Sequence, residues 1–206
     1  MLTVLVAGFG PFPGAPNNPS ADLVRALVKR RRPALAGIRI VSAIIPTSYA
    51  AVAGEFSTLL KRHDPDAVLL FGLASRARYM RVEQRAVNAA TGIYPDVTRA
   101  KLPTRRLIAG APAELRTLAA AERLIHAARA TGVDTRPSRD AGRYICNATL
   151  FTSLETARKT GRPKRVAFIH IPRPRKGFRD PRPSMSSLIR AGEAALVAFV
   201  ADLRRG

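Results

Sequence analysis

The sequence holds one cysteine, no tryptophan and three histidines in 206 residues. A single thiol closes no internal disulfide and builds no metal-thiolate cluster alone, so disulfide scaffolds and zinc-thiolate modules are excluded. Acidic residues are scarce, 14 against 35 lysines and arginines, which leaves a formal net charge of +21. That balance predicts affinity for polyanions at low salt. Aromatics amount to 6% and are not interleaved with the arginines. The stacking surface that nucleic-acid binders add to a basic groove is therefore missing, and a nucleic-acid-binding reading rests on charge alone. No apolar run approaches the length of a membrane span. The opening "MLTVLVAGFGPF" lacks a basic region ahead of its short apolar stretch, and reads as a first strand instead of a signal peptide. A reducing cytoplasm is the expected location. No Walker lysine, paired metal-ligand motif or Gly-x-Ser-x-Gly elbow is present, so neither cofactor nor metal is expected.

What is present is an apolar fraction of 47%, enough for one core, and residues 1–206 read as a single domain. Hydrophobic periodicity predicts strands over 2–7, 38–45, 66–71, 79–88 and 165–171. It predicts helices over 20–32, 48–63, 112–131 and 184–204, and a further helix running on behind Cys146. Ser20 is the expected N-cap of the first helix, and Gly132 the terminator of the third, with Pro112 near its start. Strands alternating with helices give an α/β sandwich with a mostly parallel central sheet.

In such a sheet, strand ends deliver their side chains to one edge. Cys146 stands at the expected first turn of its helix, where the helix dipole and free N–H groups favour thiolate. His170 lies near the end of the strand that follows, so thiol and imidazole can meet. Each has a plainer reading: a lone cysteine is often a small buried hydrophobe, and a histidine in an apolar strand is often a satisfied core residue. Glu83, between Arg81 and Arg85 on one strand face, reads by default as a solvated, ion-paired carboxylate. His63 and His126 occupy helical positions with no chemistry around them. The phenylalanines of "GFGPFPG" suit an apolar pocket better than a phosphate.

Taken in order along the chain, several motifs resemble one known family. They are "GFGPFPGAPNNPS" at 8–20, "PTSY" at 46–49, "GLAS" at 72–75, "EQRAVN" at 83–88 and "YPD" at 94–96, then "YICNATLF" at 144–151, "FIHIP" at 168–172 and "PSMS" at 183–186. The set resembles the pyroglutamyl peptidase I family of cysteine peptidases over nearly the whole length. The resemblance implies an α/β/α three-layer sandwich and a homo-oligomer, often a tetramer. It implies a Cys146–His170–Glu83 triad and removal of an N-terminal pyroglutamyl residue from a blocked peptide substrate. It further implies a lactam pocket lined by Phe9, Phe12, Thr47, Tyr94 and Ile145. Several positions depart from the family pattern: Gly10 replaces an acidic residue, Leu73 a glutamine, Gln84-Arg85 a basic-aliphatic pair and Ile93 an arginine, and the stretch after His170 is more basic. Altered N-terminal specificity is therefore an alternative expectation.

Overall fold

The computed structural model describes residues 1–93, 95–100, 102 and 104–205. The chain opens with β1 (Leu2–Phe9) and α1 (Pro19–Val28), then β2 (Ile38–Ile45). A helical stretch follows, made of α2 (Tyr49–Ala51), a π-type turn (Val52–Phe56) and α3 (Ser57–His63). Next come β3 (Ala67–Leu73), β4 (Met80–Glu83), β5 (Arg85–Val87), β6 (Glu114–Arg116) and α4 (Ala121–Arg129). The chain continues through β7 (Thr135–Ser138), α5 (Ile145–Thr160), β8 (Arg165–Ile171) and α6 (Met185–Arg204).

Six strands form the central sheet in the order β2-β1-β3-β8-β4-β7. All pairings are parallel except β4 with β8. The central strands β1, β3 and β8 are almost continuously apolar because helices cover both of their faces. Val4, Val6, Leu69, Phe71, Ala167 and Ile169 face α1, α4 and α6. Leu5, Ala7, Val68, Leu70, Val166 and Phe168 face α2, the π turn, α3 and α5. The result is the expected α/β sandwich with a mostly parallel sheet and helices on both sides.

Five local expectations are corrected. The cap of α1 is Asn18, not Ser20: Asn18 Oδ1 accepts from the Ser20 backbone N–H at 3.1 Å, with Pro19 in the first helical position. Proline suits that position because it has no N–H to satisfy. The same helix stops at Val28 instead of reaching Arg32, since Pro33 disfavours helical backbone before it and Lys29 to Arg32 place four cations in succession. The single strand expected over 79–88 is two: β4 stays in the main sheet, while β5 leaves it to pair with β6 in a separate two-stranded sheet. That pairing also removes 112–120 from the expected helix, leaving α4 only from Ala121. Finally, β7 is an additional edge strand, and Pro137 is tolerated there because an edge strand need not use every N–H.

Candidate active site

The site begins at Gly72. In the β3–β8 register Gly72 lies directly beside His170. A Cβ on Gly72 would stand 2.9 Å from Cys146 Sγ and 2.6 Å from Phe168 Cζ. The sulfur therefore occupies the space over a glycine adjacent to the histidine, and only a residue without a side chain permits it. Cys146 reaches this point from the second helical position of α5, which follows the N-cap Tyr144. Tyr144 makes no side-chain cap bond. Ala148 is the first residue of the turn whose N–H reaches back, to Tyr144 O at 3.0 Å. The N–H groups of the residues before it have no intrahelical acceptor and are directed out of the helix start.

His170 and Glu83 come together through the antiparallel pairing of β4 and β8. Arg81 is directly opposite His170, and Glu83 is opposite Phe168. Glu83 thus approaches His170 on the diagonal, one step deeper into the sheet, at a reach available to a long side chain. Its Oε1 lies 2.8 Å from His170 Nδ1. Glu83 is wholly buried, and its Oε2 has no hydrogen-bond partner among the described residues. This corrects the expectation of a solvated, ion-paired carboxylate: the antiparallel strand carries Glu83 beneath the second helical layer instead of into water. His170 is 6% exposed, and its ring leans on Phe168 with centroids 4.6 Å apart. Burial opposes charge on that ring. Hydrogen bonding to Cys146 and the charge there, followed by the hydrogen bond and charge of Glu83, outweigh burial and push the imidazole up to about 9. With Nδ1 committed to Glu83, Nε2 is the nitrogen left for proton transfer.

A cavity of about 350 Å³ opens over this group. Phe9, Phe12 and Thr47 line it from the ends of β1 and β2, together with Cys146 and His170. Thr47 Oγ1 donates to Gly10 O at 3.1 Å, an oxygen that also accepts from Asn18 Nδ2 at 2.9 Å. These bonds fix the loop that carries the two phenylalanines. Ile145, expected in the lining, is fully buried in the core instead and takes no part in the cavity wall. It precedes Cys146 on the helix, and the helical rotation turns it inward. Tyr94 lies outside the described residues. Of Gly10, Leu73 and Ile93, only Leu73 reaches the cavity; Gly10 is buried within the loop and Ile93 is 74% exposed.

A sequence-family model described as pyroglutamyl peptidase matches residues 2–202. The chain belongs to this family, whose members are cysteine peptidases. A pyrrolidone-carboxylate peptidase of Thermococcus kodakarensis is 33% identical over 207 residues, covering 99% of this chain and 98% of that protein. A second relative, pyrrolidone-carboxylate peptidase 1 of Ralstonia nicotianae, is 32% identical and covers 84% of this chain and 79% of its own length. Among solved structures, pyroglutamyl peptidase I of Bacillus amyloliquefaciens superposes with a TM-score of 0.85 at 26% identity, covering 98% of each chain. The pyrrolidone carboxyl peptidase of Thermococcus litoralis reaches a TM-score of 0.90 at 24% identity, over all of this chain and 96% of its own.

Two asparagines that the family motifs contain acquire roles the sequence reading did not assign. Asn147 is fully buried behind the nucleophile candidate. Its Oδ1 accepts from Val87 N at 2.9 Å, and its Nδ2 donates to Val87 O at 2.8 Å and Ala89 O at 3.1 Å. Asn88 accepts from Leu107 and Ile108 N–H and donates to Ile108 and Ala111 carbonyls. Asn147 binds the segment after Glu83 to the start of α5, and Asn88 binds it to the loop over 107–111. Their presence in "EQRAVN" and "CN" was the only available signal, because what they hold is backbone distant in sequence.

Proposed function

We propose that this chain hydrolyses an N-terminal pyroglutamyl residue from peptides, with Cys146 as nucleophile, His170 as proton carrier and Glu83 as the carboxylate that orients it. The observation that carries the reading is the buried 2.8 Å contact between His170 Nδ1 and Glu83 Oε1, set beside a sulfur at a helix start. A raised imidazole favours the imidazolium form near neutrality, and an imidazolium next to a thiol supports the nucleophilic thiolate.

The thiolate Sγ attacks the pyroglutamyl carbonyl carbon, forming a C–S bond and an oxyanion. The free N–H groups at the start of α5, those of Cys146 and Asn147, are the candidate donors to that oxygen. Nε2 then passes its proton to the amide nitrogen, the C–N bond breaks, and a thioester remains. Water attacks the thioester and gives its proton to Nε2. The C–S bond breaks, pyroglutamate leaves, and thiolate and imidazolium are restored. Metal is not required at any step. A flat, uncharged lactam suits the aromatic faces of Phe9 and Phe12, while Thr47 supplies polarity at the same end of the cavity.

Purified protein is expected to release aminomethylcoumarin from its pyroglutamyl conjugate. Cys146→Ser should lose activity on the order of a thousandfold or more. Undiminished release by that variant removes the thiol from the reaction. A second reading, altered N-terminal specificity on the same machinery, is favoured by Leu73, an apolar side chain in the cavity wall. Turnover of a set of N-terminally blocked peptides separates the two: a clear preference for the pyroglutamyl member excludes the second.

A further inference from the structure

The strand order divides the cavity into two ends. Phe9, Phe12 and Thr47 come from β1 and β2, on one side of β8. On the other side is β4, which contributes Arg81 directly opposite His170. Arg76, in the loop between β3 and β4, joins Arg81 in the wall of the cavity and again in an adjoining surface hollow. The reacting sulfur and imidazole lie between an aromatic end and a cationic end.

Among the described residues, neither Arg76 nor Arg81 forms an ion pair with the carboxylates around it. Glu83 is committed to His170. Asp134 is bound by Arg136 at 2.7 Å. Asp140, exposed in the cavity wall, accepts from Gly142 N at 3.0 Å. Arg81 Nε is buried with no hydrogen-bond partner among the described residues. With Nε sealed and unpaired, the charge of this part-buried guanidinium is presented by its terminal nitrogens, and a planar guanidinium fits a carboxylate in two-point contact.

We infer that Arg81, assisted by Arg76, binds a carboxylate on the leaving-group side of the scissile bond, so that the enzyme prefers pyroglutamyl substrates bearing a negative charge there. This rests on the pyroglutamyl reading above. With the lactam at the aromatic end, the residue released as amine extends toward β4. The carboxylate can be the free C-terminus of a pyroglutamyl dipeptide or an acidic side chain on the released residue.

The test compares kcat/KM for pyroglutamyl-alanine with that for pyroglutamyl-alanine amide, and for pyroglutamyl-glutamate amide with pyroglutamyl-glutamine amide. The ratio within each pair is the readout, so a loss of overall activity or stability does not obscure it. At low salt at least one ratio should favour the carboxylate on the order of tenfold, the first pair reporting a main-chain source and the second a side-chain source. Arg81→Met should bring that ratio to about one, and Arg81→Lys should retain part of it. Added salt at about 1 M should shrink it. Ratios near one in the unmodified protein, or a ratio that Arg81→Met leaves unchanged, overturn the inference while the pyroglutamyl reading stands. Cleavage of none of the four peptides or of the coumarin conjugate overturns both.

Discussion

Gly72 sets the spacing of the site more than any residue that carries chemistry. Its missing Cβ is the room in which the sulfur sits, and the other neighbour of that room cannot retreat. Phe168 is stacked against Phe9 with centroids 6.0 Å apart and leans on the His170 ring from the other side. Gly72→Ala should therefore cost about 1–3 kcal/mol by overpacking, read by urea unfolding, and reduce kcat/KM at least about tenfold through displacement of sulfur and ring. A variant with unaltered stability and turnover would mean the sulfur sits elsewhere. Glu83 bears on a different quantity, the charge of His170. Its carboxylate is one of the groups that raise the imidazole, so Glu83→Gln should move the alkaline limb of the kcat/KM profile down from about pH 9. The same interaction contributes stability that is complete below the ring's ordinary value of 6.5 and is lost as pH rises through about 9. Glu83→Gln should accordingly be most destabilised, relative to the parent, below that window. An unmoved alkaline limb would separate Glu83 from the histidine's titration.

At the scale of elements, what the sequence made legible and what it did not divide along one physical line. Strand β8 and helix α6 were readable to within a residue, because each is specified locally. The strand carries a run of apolar side chains, and Ser184 caps the helix by accepting from Ser187 N at 3.1 Å. The stretch from Gln84 to Ala120 was misread because long-range partners decide it. Residues 112–120 have helix-compatible composition, yet Glu114–Arg116 pairs with β5, and tertiary pairing overrides propensity. The plain reading of Glu83 as a solvated carboxylate fails for a related reason. Its alternation with Val82 was correct, but only the antiparallel register with β8 shows that its face is covered. Asn147 is the piece that joins these elements, tying β5 to the first turn of α5. Asn147→Ala leaves three backbone groups without their side-chain partner, so we expect a loss of about 2–4 kcal/mol in urea unfolding. Activity should fall as well, since Cys146 is the preceding residue. A change below about 0.5 kcal/mol would show that β5 holds its place without it.

The whole molecule carries its charge unevenly between partners. Some of the few carboxylates are buried and engaged, while the arginines that meet them reach toward solvent. Glu155, 2% exposed, holds Arg158 at 2.7 Å and Lys159 at 3.3 Å. Glu193 holds Arg32 at 2.6 Å, with Arg30 at 3.8 Å. Asp202 bridges Arg123 and Arg165, joining α6 to α4 and β8. The remaining cations are spread over the surface, so duplex DNA bound at low salt should be released near about 150 mM, as purely electrostatic binding weakens steeply with salt. Acid should matter more. The hydrogen bond from Arg158 holds Glu155 below the ordinary carboxylate range, and that from Arg32 does the same for Glu193. At Asp96 burial works the other way, but its bonds from Thr98, Tyr49 and Ala100 prevail and lower it. A carboxylate lowered in the folded state contributes stability that is present above its unfolded value, near about 4, and is lost as pH falls through the folded value. Each proton taken up also adds to a charge that is already +21. The melting temperature at low salt should therefore fall steeply between about pH 5 and 3. Added salt should recover more of it at the acid end than at neutrality, because there the unopposed arginines are what it screens. A melting temperature that stays level from neutrality to about pH 3 would show that these pairs hold nothing together.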